Sequence, residues 1–140
     1  VAGCTTPAYE QPLTAEQVAE GLASLPPEER EAFETLIWAR EVDQRPILAE
    51  FNTCVDRELA AGSAELSASI VASTAVDACF PIIERLVRGI AMRVPALMTG
   101  PTADHLNSWA DGQAAEQRAE LLATLTKRVE EARASAPSAN

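Results

Sequence analysis

From Pro46 to Gly62 the apolar residues Ile47, Leu48, Phe51, Cys54, Val55 and Leu59 fall three and four apart. That spacing gathers them on one face of a helix and would scatter them over both faces of a strand. The same period returns in Val18, Leu22 and Leu25, and in Phe33, Leu36 and Ile37. It is widest in Ile82, Ile83, Leu86, Val87, Ile90 and Val94. A chain patterned this way is confined to helices packed on helices. The sequence therefore predicts an all-α bundle of five or six short helices. The composition agrees, because 47% of the residues are hydrophobic while only 4% are aromatic, and alanine is the commonest apolar residue. Such a core favours close helix contacts over a sheet sandwich. The 140 residues suit a single domain.

Prolines and capping residues punctuate the runs. Thr14 with Gln17 forms a capping-box pattern, Leu13 is placed to staple onto Val18, and Pro26-Pro27 stop this first helix. The second starts at those prolines, with Glu28, Glu29 and Glu31 in its positive first turns, and runs to about Arg45. Its stripe is Phe33, Leu36 and Ile37, with Trp38 at the edge. Pro46 opens the third helix and Gly62 ends it. Ser63 is read as the cap of a fourth over residues 64–79. The β-branched run there has strand propensity, but a lone strand would have nothing to pair with. Pro81 is expected to break or kink the chain and begin a fifth helix that Pro95 ends, with Ile83, Leu86, Val87 and Ile90 buried. Residues 95–101 are expected to form a loop that exposes Leu97 and Met98 unless they pack back onto the bundle. Thr102 caps the last helix, which reaches about residue 134 with a bend expected at Asp111-Gly112, and whose core contacts are Leu106, Trp109, Ala110, Leu121, Leu125 and Val129. The helical domain thus covers residues 13–134. Residues 5–12 read as an irregular tether and residues 135–140 as a disordered tail.

The first four residues, Val1-Ala2-Gly3-Cys4, resemble the lipobox of bacterial lipoproteins: an aliphatic residue, a small residue, Gly or Ala, then Cys. The resemblance covers those four positions. It implies that a signal peptidase cuts before Cys4, so that Val1 to Gly3 belong to the signal peptide, and that Cys4 is the site of lipid attachment. Two acyl chains there would hold the domain at a membrane without a spanning helix. Thr5, being other than Asp, resembles the sorting signal of outer-membrane cargo. With Cys4 taken as the anchor, the remaining two of the three cysteines, Cys54 and Cys79, make an even pair able to form a disulfide in an oxidising periplasm. The alternative is two buried thiols serving as small hydrophobes.

Chemistry is harder to find. His105 is the single histidine, which excludes a multi-histidine metal site, and the cysteines lack the paired close spacing of a zinc ribbon. No nucleophile elbow or phosphate-binding glycine loop occurs. His105 is expected to face solvent in the first turn of the last helix. Asp77, in an uncharged run, is either a buried acid or a cap near Pro81. No catalytic residue, metal or cofactor is assigned. With 21 acidic against 11 basic residues, a net of −10, the chain repels nucleic acid, and Arg85, Arg88 and Arg93 read as a solvated face diluted by Glu84. Trp38, Leu97 and Met98 are the candidate partner contacts, whereas Trp109 is expected inside the core.

These readings converge on a non-catalytic, periplasmic, lipid-tethered helical protein that binds another protein, with a basic partner favoured by its charge. Its expected architecture is similar to that of periplasmic immunity proteins, which occlude a toxin, and of secretin pilotins, small lipoproteins that escort an outer-membrane pore subunit. An immunity protein should present a broad charged face and a pilotin an apolar groove. A small cell-wall-acting enzyme is the third class, and would need a cleft with a perturbed carboxylate.

Overall fold

A computed structural model describes residues 14–96 and 102–136. The helices are α1 (Ala15–Ala23), α2 (Pro27–Glu41), α3 (Gln44–Ala61), α4 (Ala68–Ala91), the single turn α5 (Arg93–Ala96) and α6 (Ala103–Ser135). No strand occurs among the described residues. The predicted all-α bundle is the observed fold.

Local chemistry explains most of the boundaries. Thr14 and Gln17 form the reciprocal capping box at the start of α1. The α1 carbonyls of Leu22 and the following Leu25 accept from Arg30 of α2, which satisfies groups that the end of a helix leaves unpaired. Pro27 begins α2, as expected. That helix ends at Glu41, short of the predicted Arg45, because Asp43 caps α3 by accepting from the Arg45 N–H at 3.1 Å. Pro46 consequently sits inside the first turn of α3 and does not open it. Gly62 ends α3 with an extended backbone, φ −65° and ψ 131°. Its lack of a side chain serves close approach, since a Cβ there would lie 2.4 Å from Val71 Cγ1.

Two boundaries on α4 differ from expectation. The cap is Ser67, which accepts from the Ile70 N–H, while Ser63 belongs to the preceding turn. The helix then continues through Pro81 to Ala91 without the predicted break. An interior proline costs about 3 kcal/mol through its missing N–H and its clash with the carbonyl four residues back. Cys79 and Phe80 before it and Leu86 after it are all buried, and each large apolar side chain taken from water contributes roughly 1.5–3 kcal/mol. Packing therefore outweighs the break. Asp77 and Pro81 both lie on the exposed side, where solvent can reach the carbonyl that proline leaves unbonded. Pro95 falls in α5, past the end of α4, and is buried. Thr102 caps α6 as predicted, and the helix is continuous through Gly112 to Ser135.

α4 is the central element, packed against α6, α3 and α2. Asp77 pairs with Arg118 and Arg88 with Asp111, so α6 descends as α4 ascends and the two run antiparallel. The first half of α4 carries the main core: Ala72, Ala75, Val76, Cys79 and Phe80 meet Cys54 and Val55 of α3 and Leu125 of α6. There α3 and α6 also touch, through Asp56 and Arg128 at 2.7 Å. α2 crosses the second half on another side. Its fully buried line is Ala32, Thr35 and Ala39, small residues in place of the expected Phe33, Leu36 and Ile37. Gly89 explains the difference, because a Cβ there would stand 2.3 Å from Ala39 Cβ. Phe33 and Leu36 instead pack half-buried on Met92, Leu106 and Ala110.

Candidate functional site

α3 and α6 cover the first half of α4 and leave one side of its second half open. The expectation that Ile83, Leu86, Val87 and Ile90 would all be buried holds for Leu86 alone, at 3% exposure. Ile83 and Val87 are half-buried and Ile90 is 38% exposed. These residues floor a furrow. One hollow of about 240 Å³ lies among Phe51 of α3, Phe80, Ile83 and Val87 of α4, and Gln117 and Leu121 of α6. A second, of about 300 Å³, adjoins it among Val87, Ile90, Ala91, Gln113 and Gln117. The two share Val87 and Gln117 and so adjoin along the furrow. Its α6 wall runs from Gln113 to Thr124, which at 1.5 Å per residue is about 16 Å long. Four residues from Ile90 and Gln113 in the sequence stand Val94, in α5, at 60% exposure and Trp109, one turn earlier in α6, at 41%.

The sequence-predicted residues fall as follows. Trp109 is outside the core, contrary to expectation: Leu106 and Ala110 take the inward face of α6 and leave their neighbour Trp109 turned outward. Trp38 is half-buried, with the Arg85 guanidinium 4.2 Å from its ring centroid. A cation over an indole face is attracted by the ring quadrupole, so Trp38 bridges α2 to α4 at their seam and remains part-exposed there. Arg85, Arg88 and Arg93 are more than a solvated face. Arg88 pairs with Asp111 at 2.6 Å, and Arg93 donates to the Ala39 carbonyl at 2.9 Å, so each ties α4 or α5 to a neighbour. Asp77 is exposed and held by Arg118, and is neither a buried acid nor a cap. His105 is exposed in the first turn of α6, as predicted. Cys54 and Cys79 are joined, with Cα atoms 5.7 Å apart. Cys4, Leu97 and Met98 lie outside the described residues, as do Leu13, the tether and residues 137–140.

In two other hollows the arginines are engaged. The larger, about 560 Å³, is at the far end of the bundle among Leu59, Val71, Val129, Arg128 and Arg133. Arg128 is bound to Asp56 and Arg133 donates to the Ser63 carbonyl. The other lies among Glu31, Thr35, Glu84, Arg85 and Arg88, whose arginines serve Trp38 and Asp111. Among the described residues no cluster of His, Cys, Asp or Glu is arranged to hold a metal ion, and no helix is long and apolar enough to cross a membrane. The Arg45 guanidinium, helped by the Arg45 N–H, holds the Asp43 carboxyl below its ordinary range, and Asp43 raises Arg45 in turn. That pair is a helix cap on the surface.

Sequence reasoning passed over the furrow, though a signal for it was present. Phe80, Ile83, Val87, Ile90 and Val94 alternate threes and fours, as in a seam between helices. The α6 residues across the hollows from this row, Gln113, Gln117 and Leu121, are four apart. An apolar row opposed by two glutamines is the mark of a seam that does not close. Compared with family models, with curated proteins and with solved structures, the chain matches none.

Proposed function

We propose that the chain is a non-catalytic protein-binding module, tethered through a lipid on Cys4 in the periplasm, at the outer membrane, and that its partner lies in the furrow between α3 and α6. The observation that carries this reading is the incomplete burial of Ile83, Val87 and Ile90 together along two adjoining hollows. Apolar side chains grouped on a surface mark binding sites, whereas single ones need no explanation. A furrow of this kind takes a peptide or a helix by its apolar face, which favours an escort or assembly factor over an occluding inhibitor. The lipobox resemblance supports the tether, and the Cys54–Cys79 bridge suits an oxidising compartment.

The inhibitor reading has an observation of its own. Glu16, Glu20, Glu28, Glu29, Glu31 and Glu34 are exposed on α1 and α2, and none forms an ion pair with a described residue. Such a face would suit a basic toxin. Complementing a gene deletion separates the readings. Ile90→Lys should abolish function while the protein stays folded, and Cys4→Ser should release it from membranes. Charge reversal at Glu28 and Glu31 should be tolerated. If that reversal abolishes function and Ile90→Lys does not, the acidic face is the site. Loss of function on changing His105, Asp77 or Glu120 alone, with partner binding intact, would reveal an enzyme.

A further inference from the structure

We propose that the occupant of the furrow is the apolar face of a basic amphipathic helix of another protein, about three turns long. The inference rests on the furrow being the partner site, and adds the chemistry of what enters it. The length follows from the walls, since about 16 Å accommodates roughly eleven helical residues. The incompletely buried floor residues Ile83, Val87 and Ile90 step by four and three, the spacing of one helix stripe.

Charge selects among helices. No lysine or arginine lines either hollow, and the one charged lining residue is Glu120. Glu116 shares that flank of α6, three residues after Gln113 and four before Glu120, and Glu50 precedes Phe51 on the opposite wall; both are exposed. Of the arginines of α4 and α6 nearest in sequence, Arg88 is turned to Asp111, while Arg118 is paired with Asp77 and also stands 5.6 Å from the Phe80 ring centroid, its charge already neutralised by that carboxylate. A partner's Lys or Arg flanks would meet the Glu120 carboxylate on the α6 wall, and Gln113 and Gln117 can both donate to and accept from its polar edge. A second copy of this chain is disfavoured, because each copy carries a net −10 and would set Glu116 and Glu120 against like charge.

The test uses the intact chain and three synthetic peptides, with binding followed by fluorescence anisotropy. Two peptides carry leucines at the same three-four spacing, one with lysine and one with glutamate at all other positions. The third is the leucine-lysine peptide scrambled so that no apolar face forms. The leucine-lysine peptide should bind, weakening as salt is added. Its affinity should fall about tenfold in Ile90→Ser, and fall again in Glu120→Lys; both sites are exposed, and circular dichroism should show the helices retained. The glutamate and scrambled peptides should bind far more weakly. Equal binding of the two patterned peptides would leave the furrow as the site and overturn its selectivity for a basic partner. Binding of neither, or binding of the leucine-lysine peptide that is matched by the scrambled one or indifferent to Ile90→Ser, would overturn the furrow itself. A dimer in sedimentation that Ile90→Ser dissolves would assign the surface to a second copy.

Discussion

Gly89 stands where α2 and α4 come closest. A methyl group there would be 2.3 Å from Ala39 Cβ and 2.8 Å from the Thr35 carbonyl oxygen, and both neighbours are buried parts of a helix. Gly89→Ala should therefore destabilise the fold by about 1–3 kcal/mol through overpacking. Gly112, inside α6 with nothing within 4 Å of its absent Cβ, is the opposite case. Gly112→Ala should stabilise by about 0.5–1 kcal/mol, the helix propensity difference. Urea midpoints of the two variants check both signs. Asp43 gives a pH prediction. Its folded carboxyl is held below the ordinary range by Arg45, so its contribution to the α2–α3 junction is complete above the unfolded carboxylate range and is lost as pH falls through the depressed folded value. The Arg45 amide resonance should follow that transition, and in Asp43→Asn should not. At this scale the sequence was readable wherever chemistry is local. Thr14, Gln17 and Thr102 announce their caps, whereas Asp43 and Ser67 compete with Pro46 and Ser63 for the same role, and only the packed positions of α3 and α4 decide. Trp109 was misplaced because its neighbours Leu106 and Ala110 claim the inward face, which no count along the sequence reveals.

α4 shows what an element takes from its surroundings. Its sequence reads as two helices divided at Pro81, and its structure is one because Cys79, Phe80 and Leu86 pack on both sides of the proline. The wide apolar face from Ile82 to Val94 was visible in the sequence, but which part of it is core was not. Burial depends on how far α3 and α6 close over α4, which rests on contacts distant in the chain such as those of Val55 and Leu125 with the α4 core. Leu86→Ala should cost about 2–5 kcal/mol, as for a buried leucine. Ile90→Ala, at a 38% exposed position, should cost under about 1 kcal/mol. Equal losses would mean that Ile90 is core and that the furrow is shut. The disulfide bears on the same place. Cys79 precedes Phe80, on the furrow floor, and Cys54 lies three residues after Phe51, on its wall. Replacing both cysteines by alanine should lower stability by about 3 kcal/mol, for a loop closing 25 residues apart in sequence. It should also loosen the furrow, seen as faster amide exchange around Phe51 than around Leu106.

For the molecule as a whole, surface ion pairs such as Asp77 with Arg118 set the register of α4 on α6 and add little to stability. The chain is acidic, its described residues leave an apolar seam open beside α4, and the residues around Cys4 resemble a lipobox. The all-α class and the disulfide were legible because helix period and cysteine number are properties of the chain alone. The furrow was not, because it is a gap between elements and depends on three helices at once. The most direct test of its role places a photoactivatable cross-linking residue at Gln117, inside the furrow, and separately at Glu34, on the exposed face of α2, in the full chain expressed in its own cells. The account predicts a cross-linked partner protein from Gln117, lost in Ile90→Lys, and none from Glu34. A partner captured from Glu34 and not from Gln117 would contradict it.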